Sequence, residues 1–160
     1  MDSGDGNRGT VRLVNLGCAK NVVDSEEMLG VLSRAGCRID AHARDADVLI
    51  VNTCAFIEAA RQESVDAILE ALEEKRRGRV RRVVVAGCLA QRHGAELARE
   101  LAEVDAFVGT GQTGSTGAVV RDALTRPGQV LRIPEKPHHR WLDVPTRVRS
   151  TAPWTAWLKI

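Results

Sequence analysis

An α/β fold built on a parallel sheet is what this 160-residue sequence predicts, on three observations. Short runs of Val, Leu and Ile alternate with longer amphipathic stretches, so strand and helix follow one another repeatedly. The strand runs are apolar without interruption, as strands covered on both faces are. Aromatic residues are 3% of the chain and tyrosine is absent, which leaves the aliphatic residues to build the core.

Each element has its own signal. Residues 11–16 read as the first strand. Asp24 then opens a helix, with Glu27 completing a capping box, Met28, Leu29, Leu32 and Ala35 as its apolar stripe, and Gly36 as its stop. Residues 37–41 form a short second strand and the apolar run 48–51 a third. A long helix covers roughly 58–76, because Val65, Ile68, Leu69 and Leu72 recur at helical spacing. Residues 83–86 are the fourth strand, and a helix carrying Leu97, Ala98 and Leu101 follows. Residues 106–109 are the fifth strand, a helix over about 115–125 closes the set, and 130–133 read as an added edge strand. Repeated βα units require right-handed crossovers. Five strands in this length suit a flavodoxin-like order, 2-1-3-4-5, with helices on both faces of the sheet.

Composition bounds the rest. Apolar residues at 44% and a net charge of +2 exclude a disordered chain. No apolar run reaches the ~18 residues of a membrane span, and the polar start has neither part of a signal peptide, so a cytoplasmic protein is expected. Four cysteines in that setting speak against a disulfide scaffold. Residues 1–120 carry net charge −3 and residues 121–160 net +5, and all five prolines stand at or after Pro127. The expected organisation is therefore a disordered tail over 1–10, an α/β domain over 11–126 and a connector over 127–160 leading to a further domain. Trp141, Trp154 and Trp157 lie in that connector, which should be poorly ordered or should dock through them.

Three cysteines share a place in this scheme. Cys18, Cys54 and Cys88 each follow a strand, the first, third and fourth, which are neighbours in the expected order. All three therefore reach the carboxyl edge of the sheet, where open α/β sheets bind ligands. Cys37 enters the second strand from the opposite edge. Three readings of the trio stand side by side: small buried hydrophobes, a zinc site, or an iron–sulfur cluster. Neither His42 nor His93 is placed to complete a zinc site. A 4Fe–4S cluster on three cysteines would leave one iron open to an exogenous ligand.

The residues around these cysteines form three motifs: Asn15-Leu16-Gly17-Cys18-Ala19-Lys20-Asn21-Val22-Val23-Asp24-Ser25-Glu26, Val51-Asn52-Thr53-Cys54-Ala55-Phe56-Ile57 and Ala86-Gly87-Cys88-Leu89-Ala90-Gln91-Arg92. With its cysteines in register, the chain resembles the amino-terminal domain of the radical-SAM methylthiotransferases over about residues 11–125, and again at Ala156-Trp157-Leu158-Lys159-Ile160. Gly-Cys-x-Lys-Asn followed by Val-Asp-Ser-Glu is most similar to the branch that modifies an aspartate of small-subunit ribosomal protein twelve; the alternative within the family is tRNA adenosine. The resemblance implies that Cys18, Cys54 and Cys88 ligate an auxiliary 4Fe–4S cluster whose open iron carries the sulfur species. It also implies a second 4Fe–4S cluster and S-adenosylmethionine in a following radical domain. The Cys-x3-Cys-x2-Cys run of that domain is absent from this sequence, so the chain by itself is expected to be inactive.

Other features carry weaker signals. Asn52 and Gln91 flank the cysteines and are candidates to donate hydrogen bonds to cluster sulfur, or simply to shape the turns. The glycine-rich stretch 110–117 resembles a phosphate cradle but reads as a plain βα loop, since a flavin loop in this fold follows the first strand. The basic run 75–82 suits a helix carboxyl end preceded by Glu70, Glu73 and Glu74 better than it suits nucleic acid. His138 and His139 read as solvated. Outside the methylthiotransferase reading, two further classes are kept: a metal-free flavodoxin-like binding or redox module, and a zinc-structured interaction domain.

Overall fold

The computed structural model describes residues 9–136 and 147–158. The elements are β1 (Thr10–Asn15), α1 (Ala19–Arg34), β2 (Arg38–Ile39), β3 (Ala46–Thr53), α2 (Glu58–Arg76), β4 (Val80–Gly87), α3 (Cys88–Glu100), β5 (Ala106–Val108), a 3-10 turn (Thr113–Ser115), α4 (Thr116–Thr125) and β6 (Val130–Arg132). The strands form one sheet in the order β2-β1-β3-β4-β5-β6, and every neighbouring pair is parallel. The expected order is extended by β6, which lies beyond the change of composition near residue 127. Ile133 follows it onto α3, where Gly94 makes room: a Cβ there would stand 2.3 Å from Ile133 Cδ1.

The two faces hold separate cores. Ile68 and Leu72 of α2 and Leu89 of α3 pack with Val83, Val85 and Phe107 of the sheet. Met28 and Leu32 of α1 and Val119 and Val120 of α4 pack with Val11, Val48, Ile50 and Val84 of the sheet. Alternate residues of β3 and β4 feed opposite faces, which explains why those strands are apolar throughout. In α2 the buried stripe is Ser64, Ile68, Ala71 and Leu72, whereas Leu69 is 46% exposed and does not belong to it.

The first helix departs most from its sequence signal. It begins at Ala19, directly after Cys18, and not at Asp24. Asp24, Ser25 and Glu26 form no cap; all three are buried mid-helix, and Ser25 and Glu26 are polar because they hold other segments. Ser25 Oγ donates to Asn15 Oδ1 at 2.7 Å. Glu26 reaches across to residues 147–150. Ser150 gives its backbone N–H (2.8 Å) and hydroxyl (3.1 Å) to Oε1, the Arg147 guanidinium pairs with Oε2, and the Glu26 carbonyl accepts from Val148 N–H. Residues 147–150 are thus strapped to α1 by a carboxylate, and not by Trp154 or Trp157. Trp154 stays 86% exposed and Trp157 47%, while Trp141, His138 and His139 lie outside the described residues.

Burial pushes the Glu26 carboxyl up, but the bonds from Ser150 and Arg147 outweigh it and hold it below the usual 4.5. A group whose folded value is lowered stabilises the fold above its unfolded value and loses that contribution as pH falls through the folded one. Amide protection at Val148 and Ser150 should therefore be full near neutrality and decline below pH 4.5. Glu26→Ala should cost several kcal/mol at pH 7, toward the lower end of the ~3–5 typical of a broken buried pair, because the Arg147 side chain is 25% exposed. Unchanged exchange at those amides in Glu26→Ala would refute the strap.

Most of the basic run around β4 is paired. Arg76 and Arg77 meet Glu73, Arg76 also meets Glu103, Arg81 meets Asp47, and Lys75 and Arg82 meet Asp105. These contacts lie at the amino-terminal edge of the sheet, away from Cys18, Cys54 and Cys88.

Candidate metal centre

β1, β3 and β4 lie side by side, with Asn15 opposite Asn52 and Thr53 opposite Gly87 in the ladder. Their carboxyl ends are therefore level, and the cysteines emerge within three residues of them. Cys18 is the extended residue that caps α1 and is exposed to solvent. Cys54 is buried in the turn after β3, and half-buried Cys88 is the first residue of α3. Cys37 is buried before β2 at the opposite edge.

Two of the three sulfurs thus sit at helix amino ends, whose partial positive charge favours thiolate. Cys88 nevertheless has its thiol pushed up, first by burial, then by Cys54 and Cys18, and then by Asp24, with Arg92 opposing. Burial and the neighbouring Cys54 and Cys18 sulfurs thus both disfavour the Cys88 thiolate, and positive charge bound beside it would offset them.

The donor set limits what that centre is. Among the described residues no group of three or more His, Cys, Asp or Glu side chains closes on a single metal ion. His93 is turned to Glu96 at 3.6 Å, and exposed His42 lies between β2 and β3 at the far edge. The three cysteines follow neighbouring strands at one sheet edge, and thiolate is the donor type that an iron–sulfur cluster takes.

The turns that carry the sulfurs are fixed by two glycines and a buried polar web. Gly17 has φ +88, and a Cβ on it would stand 2.5 Å from Cys54 Cβ and 2.9 Å from Cys54 Sγ. Gly87 has φ +93, and its Cβ would meet Asn52 Oδ1 and the Thr53 carbonyl, both at 2.5 Å. Asn52 Nδ2 donates to the Asn21 carbonyl (2.9 Å), Ser25 Oγ (2.9 Å) and Asn15 Oδ1 (3.3 Å). Ser64 Oγ accepts from the Cys54 N–H and donates to the Cys54 carbonyl, each at 2.9 Å. Arg92 Nη1 reaches the Ala55 carbonyl and so ties α3 to the Cys54 turn.

The amide hydrogens of both flanking candidates are directed elsewhere than the sulfurs. Those of Asn52 enter the web just described. Gln91 Nε2 donates to the Pro134 carbonyl at 2.8 Å, anchoring the segment after β6, while its Oε1 is buried against Gly109 with no hydrogen-bond partner. Asn21, Ser25, Ser64 and Arg92 carried no separate signal in the sequence, although a buried polar residue at a strand end or in a first helical turn is the place to look for one. The glycine-rich stretch after β5 satisfies itself: Thr116 Oγ1 donates to the Thr113 carbonyl, Ser115 Oγ to the Gln112 carbonyl and Thr113 Oγ1 to Glu27.

Comparison with known proteins relates the domain to others. The model of the family described as "Uncharacterized protein family UPF0004" matches residues 10–109, from β1 to the end of β5. The chain is 50% identical over 150 residues to the ribosomal protein uS12 methylthiotransferase RimO of Symbiobacterium thermophilum, covering 94% of this chain and 30% of that protein. It is 47% identical over 150 residues to the protein of the same name from Geobacter sulfurreducens, covering 94% of this chain and 33% of that one. A third relative of that name, from Pelotomaculum thermopropionicum, is 49% identical over 152 residues, again 94% and 33%. The chain therefore spans about a third of the length of the curated relatives it matches.

Proposed function

The chain belongs to the UPF0004 family, and on that premise we propose that it is the auxiliary-cluster domain of a methylthiotransferase that modifies an aspartate of ribosomal protein uS12. The observation that carries this reading is the convergence of Cys18, Cys54 and Cys88 at level strand ends on one sheet edge. They would hold a 4Fe–4S cluster, which supplies, when bound, one iron free of protein ligands where a sulfur species can sit. The chain's own residues present that cluster. Asn52, Ser64 and Arg92 hold the turns, Cys18 faces solvent, and exposed Phe56 and Ile57 give the rim beside Cys54 an apolar surface.

The radical step belongs, on this reading, to the part of the relatives outside the matched third, together with the second cluster and S-adenosylmethionine. The relatives' names favour the ribosomal protein over tRNA adenosine as substrate. A ribosomal substrate implies work in the cytoplasm, and no described helix is long and apolar enough to cross a membrane.

Anaerobic reconstitution with ferrous iron and sulfide tests the domain. The expected product is brown and holds about four irons per chain. A colourless protein, or one that takes up a single zinc in preference, would support one of the other two classes. Reduced and given S-adenosylmethionine, the reconstituted chain should release no 5′-deoxyadenosine, and detection of it would overturn the division of labour.

A further inference from the structure

Asn21 stands on the first turn of α1 and is 2% exposed. Its side-chain nitrogen forks: it donates to the Leu16 carbonyl at 2.8 Å and to the Thr53 carbonyl at 2.9 Å. The first acceptor lies two residues before Cys18 and the second immediately before Cys54. The backbone carbonyl of Asn21 in turn accepts from Asn52 Nδ2 at 2.9 Å. Gly17 passes directly over this amide, and a Cβ there would be 3.4 Å from Asn21 Nδ2. One planar group thus joins the two cysteine turns, with both of its hydrogens in use. Thr53 carries the connection onward, since its Oγ1 donates to the Ala86 carbonyl one residue before the glycine that precedes Cys88.

We propose that Asn21 is the positioning residue that sets the distance between the Cys18 and Cys54 turns, and so the geometry in which the cysteines present their sulfurs to a cluster. This rests on the cluster reading above and adds to it a residue that touches no iron. The chemistry of the site explains the choice of side chain. Two carbonyls pointing at one spot need two donors on one short stem. Aspartate has the same shape but would set a carboxylate against both carbonyls. Serine offers one donor and reaches less far.

The test uses the full 160-residue chain as Asn21→Asp, Asn21→Ser and, as a control for lost stability alone, Leu72→Ala. Leu72 is 1% exposed and lies in the last turns of α2, toward the amino-terminal edge. After reconstitution, iron release to a chelator and the electron paramagnetic resonance of the reduced cluster are recorded beside the melting temperature of the iron-free chain. Both Asn21 variants should release iron at least about tenfold faster and show altered g values, in line with the roughly 10–100-fold loss of affinity when residues that orient metal ligands are removed. Leu72→Ala should melt lower yet keep the original release rate and spectrum. Asn21 variants with the original spectrum and release rate would overturn the proposal. So would a Leu72→Ala chain that loses iron as fast as they do.

A second readout needs no iron. In a Cys37→Ala, Cys88→Ala background, the rate at which Cys18 and Cys54 are bridged by short bifunctional thiol reagents should change several-fold in Asn21→Ser, and an unchanged rate would refute the brace. If the unaltered chain retains no iron while the bridging rate does respond to Asn21, the cluster reading fails but the coupling of the two turns stands. The two failures are therefore distinguishable.

Discussion

Replacing Cys18, Cys54 or Cys88 singly with Ala is expected to lower the iron held after reconstitution from about four per chain to less than one, whereas Cys37→Ala should leave it unchanged. The contrast follows from the sheet. The first three stand after β1, β3 and β4 at ends that the ladder makes level. Cys37 instead precedes β2, giving its N–H to the Leu32 carbonyl and packing in the core with Val11, Met28 and Leu32. Trimming it removes one buried sulfur, a loss of about 1 kcal/mol, and touches nothing at the other edge. Two thiolates alone do not hold a cubane against exchange, so the three losses should resemble one another and not grade with exposure, even though Cys18 is exposed and Cys54 buried. Iron and acid-labile sulfide analysis after gel filtration reads the outcome directly. Iron retained by any of the three, or lost from Cys37→Ala, would sink the ligand assignment.

The sequence made the sheet legible because its strands are fed from both faces. Val48, Leu49, Ile50 and Val51 go alternately to the two cores, so no polar residue interrupts them, and the strand order then carried the cysteines to one edge. Legibility ended where a polar residue is buried for a partner distant in sequence. Asp24-Ser25-Glu26 has the composition of a helix start, yet α1 was already five residues old, because Glu26 is matched to Arg147 and Ser150, 121 and 124 residues away. Asn21 stood inside a motif, but its role, like Ser64 altogether, stayed hidden for the same reason: their hydrogen bonds go to backbone carbonyls of turns whose approach depends on the folded sheet. Periodicity also misassigned Leu69, since a stripe of three or four residues fixes a helix face only to within about one position, and buried Ser64 holds the place that a hydrophobe would signal.

Gly87→Ala is expected to unfold the carboxyl edge, destabilising the chain by more than about 3 kcal/mol and removing its capacity for iron, while Gly78→Ala costs only ~1–2 kcal/mol and leaves iron binding intact. Both glycines have positive φ, +93 and +74, so both substitutions strain the backbone. They differ in surroundings. Nothing lies within 4 Å of the position a Cβ would take at Gly78, in the turn after α2. At Gly87 a Cβ would stand 2.5 Å from the Thr53 carbonyl and 3.0 Å from the Thr53 nitrogen, which are backbone atoms of β3 and cannot swing aside. Gly87 also pairs with ψ −155, a combination open essentially to glycine alone. The chain needs that conformation because β4 must pass into α3 with no intervening loop, so that Cys88 becomes the first residue of the helix with its sulfur at the sheet edge. Any relaxation that spared the β3 backbone would have to lift β4 away from Thr53 and carry Cys88 with it, so stability and iron should be lost together. In a chain of this size each kcal/mol lowers the melting temperature by roughly 2–4 °C, so the two variants should separate clearly in a thermal scan. Equal melting temperatures, or a Gly87→Ala chain that melts low yet still holds its iron, would show that the close passage of β4 over Thr53 is not what fixes Cys88.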